Sequence, residues 1–341
     1  MARRRQHGWA RLADDELLDL RFRDLGLSLD GHWVQDALAG LNDELRRRGL
    51  RFAPHAWLST EWFSPLGVPG IALPFYLAHP RLMQLERAIM LEVEGGNRRD
   101  CRAILRHECG HAVQQAWRLH RRKRWRELFG SSTEAYPEFY RPRPSSRRYV
   151  QHLRMYYAQS HPDEDFAETF AVWLGPKHVW RKRYAGWPAL KKLEYVDELM
   201  EQIAGEVPPV RSRKHVNALP RVSTTLREHY AERVQRYPPA TPDSYDSDLR
   251  GLFSEPARAG GAPRASRWLR RQRTALRRRV ARWTGQQPLM VDQLLEDMLR
   301  RCRELDLRVT GDEDELRTDF ALMLMAHTMR ALHTHRRWVA L

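Results

Sequence analysis

The sequence is poor in cysteine and has no long apolar run, and both shortages limit what the protein can be. Its three cysteines, Cys101, Cys109 and Cys302, are too few and too scattered for a disulfide framework, and they favour a reducing compartment. No apolar stretch approaches the roughly 18 residues that a membrane-spanning helix needs. Residues 1–9 are basic, but charged residues follow them instead of an apolar segment and a cleavage site, so we expect no secretory signal. These absences predict a cytoplasmic protein without a transmembrane segment.

Acidic residues are also in short supply relative to basic ones. The 59 lysines and arginines outnumber the 43 acidic residues, and the formal net charge is +16. Such an excess predicts attraction to nucleic acid or to acidic partners. Only six of the basic residues are lysines, however, and a skew towards arginine also follows from genome base composition. With 341 residues, 42% of them hydrophobic, the chain is globular and long enough for one large domain or two ordinary ones.

The most informative stretch is His107-Glu108-Cys109-Gly110-His111, which lies in a segment with helical apolar spacing. Residues four apart lie one above the other on a helix, so His107 and His111 can direct two imidazoles at one metal ion, with Glu108 beside them. This is the H-E-x-x-H pattern of zinc hydrolases. In a chain with 15 histidines, the pattern also arises by chance on a surface helix. A catalytic zinc takes three protein ligands and leaves a fourth position for water, so a third ligand must come from elsewhere.

An acidic helix predicted for residues 162–174 offers that ligand. Proline at its first position and acids in its first turn are typical of a helix start. Glu164 can complete a His-His-Glu site, and Glu168, one turn later, can accept the outward N–H of a ligating histidine and fix its tautomer. Asp163 is an alternative to Glu164 as the ligand. The two side chains point about 100° apart on a helix, so only one of them can face the metal. The plain alternative is a helix with solvated acids.

At this point the sequence resembles known families. The pattern of residues 107–111, followed by Glu164-Asp-Phe-Ala-Glu168, is similar to that of the Glu-zincin metallopeptidases, whose third zinc ligand is a glutamate on a later helix. Residues 161–171 resemble a bacterial family of zinc-binding metallopeptidases, and the helix pair is similar to that in the catalytic domain of anthrax lethal factor. The resemblance extends to about residue 205 and offers no account of the rest of the chain.

The resemblance implies a zinc-dependent peptidase that acts on protein or peptide substrates. One catalytic Zn²⁺ would be held by His107, His111 and Glu164, and would lower the pKa of its bound water to about 7. Glu108 would then act as the general base that activates this water.

A tyrosine pair precedes the acidic helix. A helix is predicted from Tyr149 to near Ser160, and it carries Tyr156 and Tyr157. In lethal factor, a tyrosine seven residues before the ligand glutamate assists at the oxyanion, and the resemblance gives this role to Tyr157. The neighbouring Tyr156 stays an alternative, because aromatic pairs on helices are commonly packing residues.

We expect an α+β fold, with a mostly helical, zincin-like metallopeptidase domain, a small mixed sheet and a C-terminal helical extension. Residues 50–59 and 70–77 are β-prone, and the second stretch is expected to be an edge strand that can align a substrate by strand addition. Residues 1–206 are predicted to be the catalytic domain, 207–263 a linker with a helix, and 264–341 a basic helical region.

The basic region leaves a second function open. Nine arginines and no acid lie between Arg264 and Arg282, interleaved with apolar residues, as in a basic amphipathic helix for nucleic acid, an acidic partner or a membrane surface. A helix docked by its apolar side, with its arginines in water, has the same pattern. The alternative function is therefore a catalytically silent zincin-fold protein with a structural zinc and a basic binding surface. Glu108 favours the enzyme, since a structural site has no use for a general base.

Overall fold

Helices make up most of the chain. The structure, a computed structural model, describes residues 7–137, 140, 143, 145–235, 245–255, 259 and 261–334, with the backbone alone for 330–334. The predicted α+β class is confirmed, because many helices accompany one small sheet and further helices follow at the C-terminal end. Within the described ranges, none of the helices has the length and apolarity that a membrane crossing requires.

Contacts divide the chain into two units. The first consists of Met1–Ile89 and Val93–Tyr230, and the second of Met90–Glu92 and Ala231–Leu341. The segments 1–206, 207–263 and 264–341 stay predictions as functional domains. Part of the predicted linker, residues 236–244, lies outside the described residues.

The helices up to residue 235 include the pair that carries the candidate site. They are α1 (Asp14–Leu18), α2 (Trp33–Arg47), α3 (Pro80–Met90), α4 (Arg98–Trp117), α5 (Lys123–Phe129), α6 (Pro162–Trp173), α7 (Lys177–Arg183), α8 (Ala189–Gln202) and α9 (Leu226–Gln235). Helix α4 begins after Asn97, whose side-chain oxygen accepts hydrogen bonds from the backbone N–H groups of Arg99 and Asp100. Helix α6 begins at Pro162 and ends one residue before the predicted end.

A buried carboxylate ties α2 to α4. Glu44 of α2 is only 6% exposed and accepts hydrogen bonds from Arg102 and Arg106 of α4. Burial raises the pKa of Glu44, but the hydrogen bonds and charges of the two arginines outweigh it, and the net pKa is lowered. These ion pairs join α2 to α4.

The sheet consists of two parallel strands, β1 (His55–Ser59) and β2 (Gly70–Pro74), in the register His55↔Gly70. β2 is an edge strand of this two-stranded sheet, as expected, but the strand predicted over residues 70–77 ends at Pro74, and its role in aligning a substrate stays a prediction. All of β2 is buried, and on the side away from β1 the Ala72 N–H donates to the Phe63 carbonyl over 2.8 Å. The chain then turns into a 3₁₀ segment, Phe75–Ala78, because the Pro74 ring removes the next backbone donor.

The second unit has helices with a core of their own. They are α10 (Asp246–Leu252), α11 (Ala265–Thr284), α12 (Pro288–Glu304) and α13 (Glu313–Thr334). The apolar side of α11, with Trp268, Leu269, Leu276 and Val280, is buried in this core. On α12, Asp292 binds Arg273 and Arg277 of α11. The predicted basic helix is therefore docked by its apolar side.

Candidate metal centre

The site lies where α4 and α6 pack closely together. At Gly110, an added Cβ would meet the Cα of Ala167 at 2.7 Å and its carbonyl oxygen at 3.0 Å. Such short distances leave room only for a hydrogen on Gly110 and a methyl group on Ala167. The small pair therefore lets the two backbones approach, and it brings the histidine face of α4 against the glutamate face of α6.

Three ligand atoms converge at this crossing. Glu164 Oε2 lies 3.0 Å from His107 Nε2 and 3.2 Å from His111 Nε2, and the two Nε2 atoms are 3.2 Å apart. Donor atoms bound to a tetrahedral zinc at about 2.0 Å are about 3.3 Å from one another, so the residues present fit this metal. Among the described residues, no fourth His, Cys, Asp or Glu joins the cluster.

The charges around the cluster favour a cation. Burial lowers the pKa of His107 and His111, but the carboxylate of Glu164 outweighs it and raises the pKa of both, with help from Glu168 at His107. Burial raises the pKa of Glu164, yet the two imidazoles hold it well below its usual range. Two facing imidazole nitrogens and one ionised carboxylate therefore share a buried space that one positive ion would satisfy.

Glu168 fixes the orientation of His107. Its Oε1 accepts a hydrogen bond of 2.9 Å from His107 Nδ1, and Nε2 of that ring is directed at the cluster. Its Oε2 accepts a hydrogen bond of 2.8 Å from the backbone N–H of Leu153. The Glu168 side chain is fully buried, and both of its oxygens are engaged.

Asp163 is turned away from the cluster. Its Oδ1 accepts a hydrogen bond of 2.7 Å from Gln114, and its Oδ2 accepts one of 3.0 Å from Ser132. The two acidic neighbours thus have different surroundings: Asp163 binds amide and hydroxyl donors, while Glu164 faces the imidazoles.

Glu108 has the environment of a proton acceptor. The side chain is 7% exposed, and its Oε2 has no hydrogen-bond partner among the described residues. An orphaned carboxylate oxygen is costly in a dry interior, and a ligand or water at the cluster would satisfy it. The Glu108 carbonyl accepts a hydrogen bond of 3.0 Å from Ser64, so the segment after Phe63 borders this end of the cluster.

The two tyrosines before α6 are not on a regular helix, so the helix predicted from Tyr149 is wrong. Residues Arg154–Gln159 form a 3₁₀ segment in which Met155 and Tyr156 adopt left-handed backbone angles, with φ of 62° and 57°. Tyr157 faces the site, with its ring centroid 5.4 Å from that of His107. Burial, and then the charges of Glu164 and Glu108, raise the pKa of Tyr157 well above its usual value, so its hydroxyl stays protonated.

Sequence reasoning missed a third tyrosine at the site. Tyr136, in the loop after α5, donates a hydrogen bond of 2.9 Å from its hydroxyl to Glu164 Oε1. Its ring stacks on His161, with centroids 3.8 Å apart and an angle of 14° between the planes. The loop has no periodicity that would point to this contact, which joins residues 28 positions apart. The sequence offers one weak signal for this contact, namely an aromatic residue in the loop that precedes the acidic helix.

The fold and the cluster together define a candidate metallohydrolase site. Residues 96–185 match the sequence model of a family described as "Putative zinc-binding metallo-peptidase". The matched segment includes α4, α6 and each candidate residue from His107 to Glu168, and it supports the class of zinc-binding metallopeptidases. Searches of curated proteins and of solved structures give no match. The Glu-zincin subtype and the likeness to lethal factor stay predictions.

Proposed function

We propose that this chain is a zinc-dependent metallopeptidase of the Glu-zincin type, in which His107, His111 and Glu164 hold one Zn²⁺. The supporting observation is the convergence of these three ligand atoms beside a buried, unpartnered oxygen of Glu108. Bound zinc would supply a Lewis acid and would lower the pKa of its water to about 7.

The chain's own residues would carry the remaining chemistry. Glu108 Oε2, which has no competing donor among the described residues, accepts the proton of the attacking water and returns it to the leaving amine. The protonated hydroxyl of Tyr157 donates to the oxyanion that develops on the substrate carbonyl. Glu168 keeps His107 in the tautomer that can bind the metal.

Two further features agree with a catalytic and not a structural zinc. Structural zinc sites are closed by four protein ligands, whereas the cluster within the described part of the chain has three. A structural site also gives no reason for burying the unpartnered carboxylate oxygen of Glu108. We further propose that the enzyme works in the cytoplasm, since all three cysteines are free thiols.

Metal analysis of matched variants tests the ligand set. We expect one zinc per chain in the wild type and in Asp163→Asn, because Asp163 binds Gln114 and Ser132 instead of the cluster. We expect His111→Ala and Glu164→Gln to bind zinc at least about 100-fold more weakly, because each loses a direct ligand. Zinc retained in both of these variants, or lost only in Asp163→Asn, would overturn the assignment.

The alternative, a silent binding protein with a basic surface, has one observation in its favour. Exposed arginines on α11 have no ion-pair partner among the described residues; they are Arg267, Arg270, Arg278, Arg279 and Arg282. The apolar side of α11 is buried in its own core, so the surface suits a nucleic-acid backbone better than a membrane. Fluorescence anisotropy with a labelled single-stranded oligonucleotide tests it: Arg278→Glu should weaken binding, and Arg87→Glu on α3 should not. Equal affinities in both variants would contradict this surface.

A further inference from the structure

The two oxygens of Glu164 have different partners. Oε2 lies within 3.2 Å of both imidazoles, whereas Oε1 accepts the hydrogen bond from the Tyr136 hydroxyl. A carboxylate can bind a metal through one oxygen or through both. The Tyr136 hydroxyl competes with binding through both oxygens, because it occupies Oε1, the oxygen that would have to turn towards the ion.

Contacts hold Tyr136 in place although 47% of the residue's surface is exposed. Its ring lies flat on His161, and that imidazole has both nitrogens engaged. Nδ1 of His161 accepts a hydrogen bond of 3.1 Å from the Asp163 N–H, and Nε2 donates one of 3.0 Å to the Glu134 carbonyl.

His161 is also the residue that caps α6. The imidazole that supports the Tyr136 ring therefore also caps the N-terminus of α6, and Glu164 lies in the first turn of this helix. One short segment thus fixes both the carboxylate and the hydroxyl that binds it. Tyr136 and Glu164 are 28 positions apart in the chain, and ring stacking and hydrogen bonds, not a helix or strand, hold them together.

We propose that Tyr136, supported by His161, is a positioning residue that keeps Glu164 a one-oxygen ligand of the metal. This inference rests on the proposed function, because it takes Glu164 to be a zinc ligand. With Oε1 bound to the phenol, the Glu164 carboxylate would contribute one oxygen to the metal. The role differs from that of Tyr157, which faces His107 and would act on the substrate.

The variant Tyr136→Phe tests the proposal, with Tyr140→Phe as its matched control. Both changes remove one hydroxyl from a tyrosine of the same loop, but Tyr140 donates to the Met155 carbonyl over 2.8 Å and does not touch Glu164. Zinc affinity is measured by competition with a chelator on the full chain. We expect Tyr136→Phe to weaken binding about tenfold, as loss of a hydrogen bond to a metal ligand does, and Tyr140→Phe to leave it unchanged.

The visible spectrum of the cobalt(II)-substituted protein provides a readout that a general loss of stability would not change. If Glu164 turns to bind through both oxygens, the coordination number rises and the d–d bands of Tyr136→Phe weaken relative to those of the wild type and Tyr140→Phe. Identical affinity and spectra in all three proteins would overturn the proposal while leaving the zinc site intact. A wild type that binds no zinc would instead overturn the proposed function. Equal loss of affinity in both variants would show a loop effect and would also contradict the role of Tyr136.

Discussion

Tyr156 and Tyr157 are neighbours in the chain with different surroundings. The Tyr157 ring lies against His107, and the charges of Glu164 and Glu108 act on its hydroxyl. The backbone is left-handed at Met155 and Tyr156, and the ring contact with His107 is made by Tyr157. Such angles cost about 1–3 kcal/mol each in residues other than glycine, and they persist where surrounding contacts impose them. Here the Tyr140 hydroxyl holds the Met155 carbonyl.

These surroundings predict different effects for the same substitution at the two positions. Tyr157→Phe should lower kcat about 100-fold, with zinc content unchanged, because one donor to the oxyanion is lost. Tyr156→Phe should leave kcat within about twofold of the wild type. Turnover of a peptide that the wild type cleaves measures both. Equal rates in the two variants would remove Tyr157 from the mechanism.

The spacing of acids on the second helix was enough to predict Glu164 and Glu168 as candidates, because a helix places residues four apart on one side. It could not decide between Asp163 and Glu164, since that choice depends on Gln114 and Ser132, which lie far away in the chain. Tyr136 was unpredictable for the same reason: its contact comes from loop packing on His161. Local patterns therefore predicted the helical part of the site, and long-range contacts supplied the rest.

The crossing of α4 and α6 depends on the absence of a side chain at Gly110. In Gly110→Ala, the new methyl group would meet the Ala167 backbone at 2.7 Å, so the helices must move apart. We expect the free energy of unfolding to fall by about 1–3 kcal/mol, as in other overpacked interiors, and zinc binding to weaken.

Gly40 provides the matched control for this change. It lies in α2, where an added Cβ meets nothing within 4 Å, so Gly40→Ala should raise stability by about 0.5–1 kcal/mol through lower backbone entropy of the unfolded chain. Urea unfolding and zinc titration of both variants measure these effects. A Gly110→Ala protein with wild-type stability and zinc affinity would show that the close approach does not hold the site together.

Helices were predicted better than the segments between them. Helix α6 follows the predicted range to within one residue, because proline, acids and an apolar stripe all mark it locally. The predicted helix from Tyr149 fails where the chain is anchored from outside: His152 Nε2 donates to the Ala103 carbonyl, and the Leu153 N–H donates to Glu168. The strand predicted over residues 70–77 is too long, because the chain leaves the sheet at Pro74 and continues as a 3₁₀ segment.

For the molecule as a whole, the family similarity and the candidate site lie in the same part of the chain. Residues 96–185 carry both, and the second unit has its own core and its own ion pairs, such as Asp292 with Arg273. The chain has an excess of positive charge, and exposed arginines of α11 contribute to it. Whether these arginines bind nucleic acid or an acidic partner stays a prediction.

We propose that Glu108 drives peptide hydrolysis at a zinc site formed by α4 and α6. Its most direct test compares the zinc-loaded wild type with Glu108→Gln on a proteome-derived peptide mixture, with new termini identified by mass spectrometry. The substitution keeps the size of the side chain and the backbone contact with Ser64, and it removes the proton acceptor. We predict equal zinc content, cleaved peptides with the wild type, and rates lower by about 10²–10⁴-fold with the variant. The same peptides released at the same rates by both proteins would exclude Glu108 as the general base, and no cleavage by either protein would overturn the peptidase function.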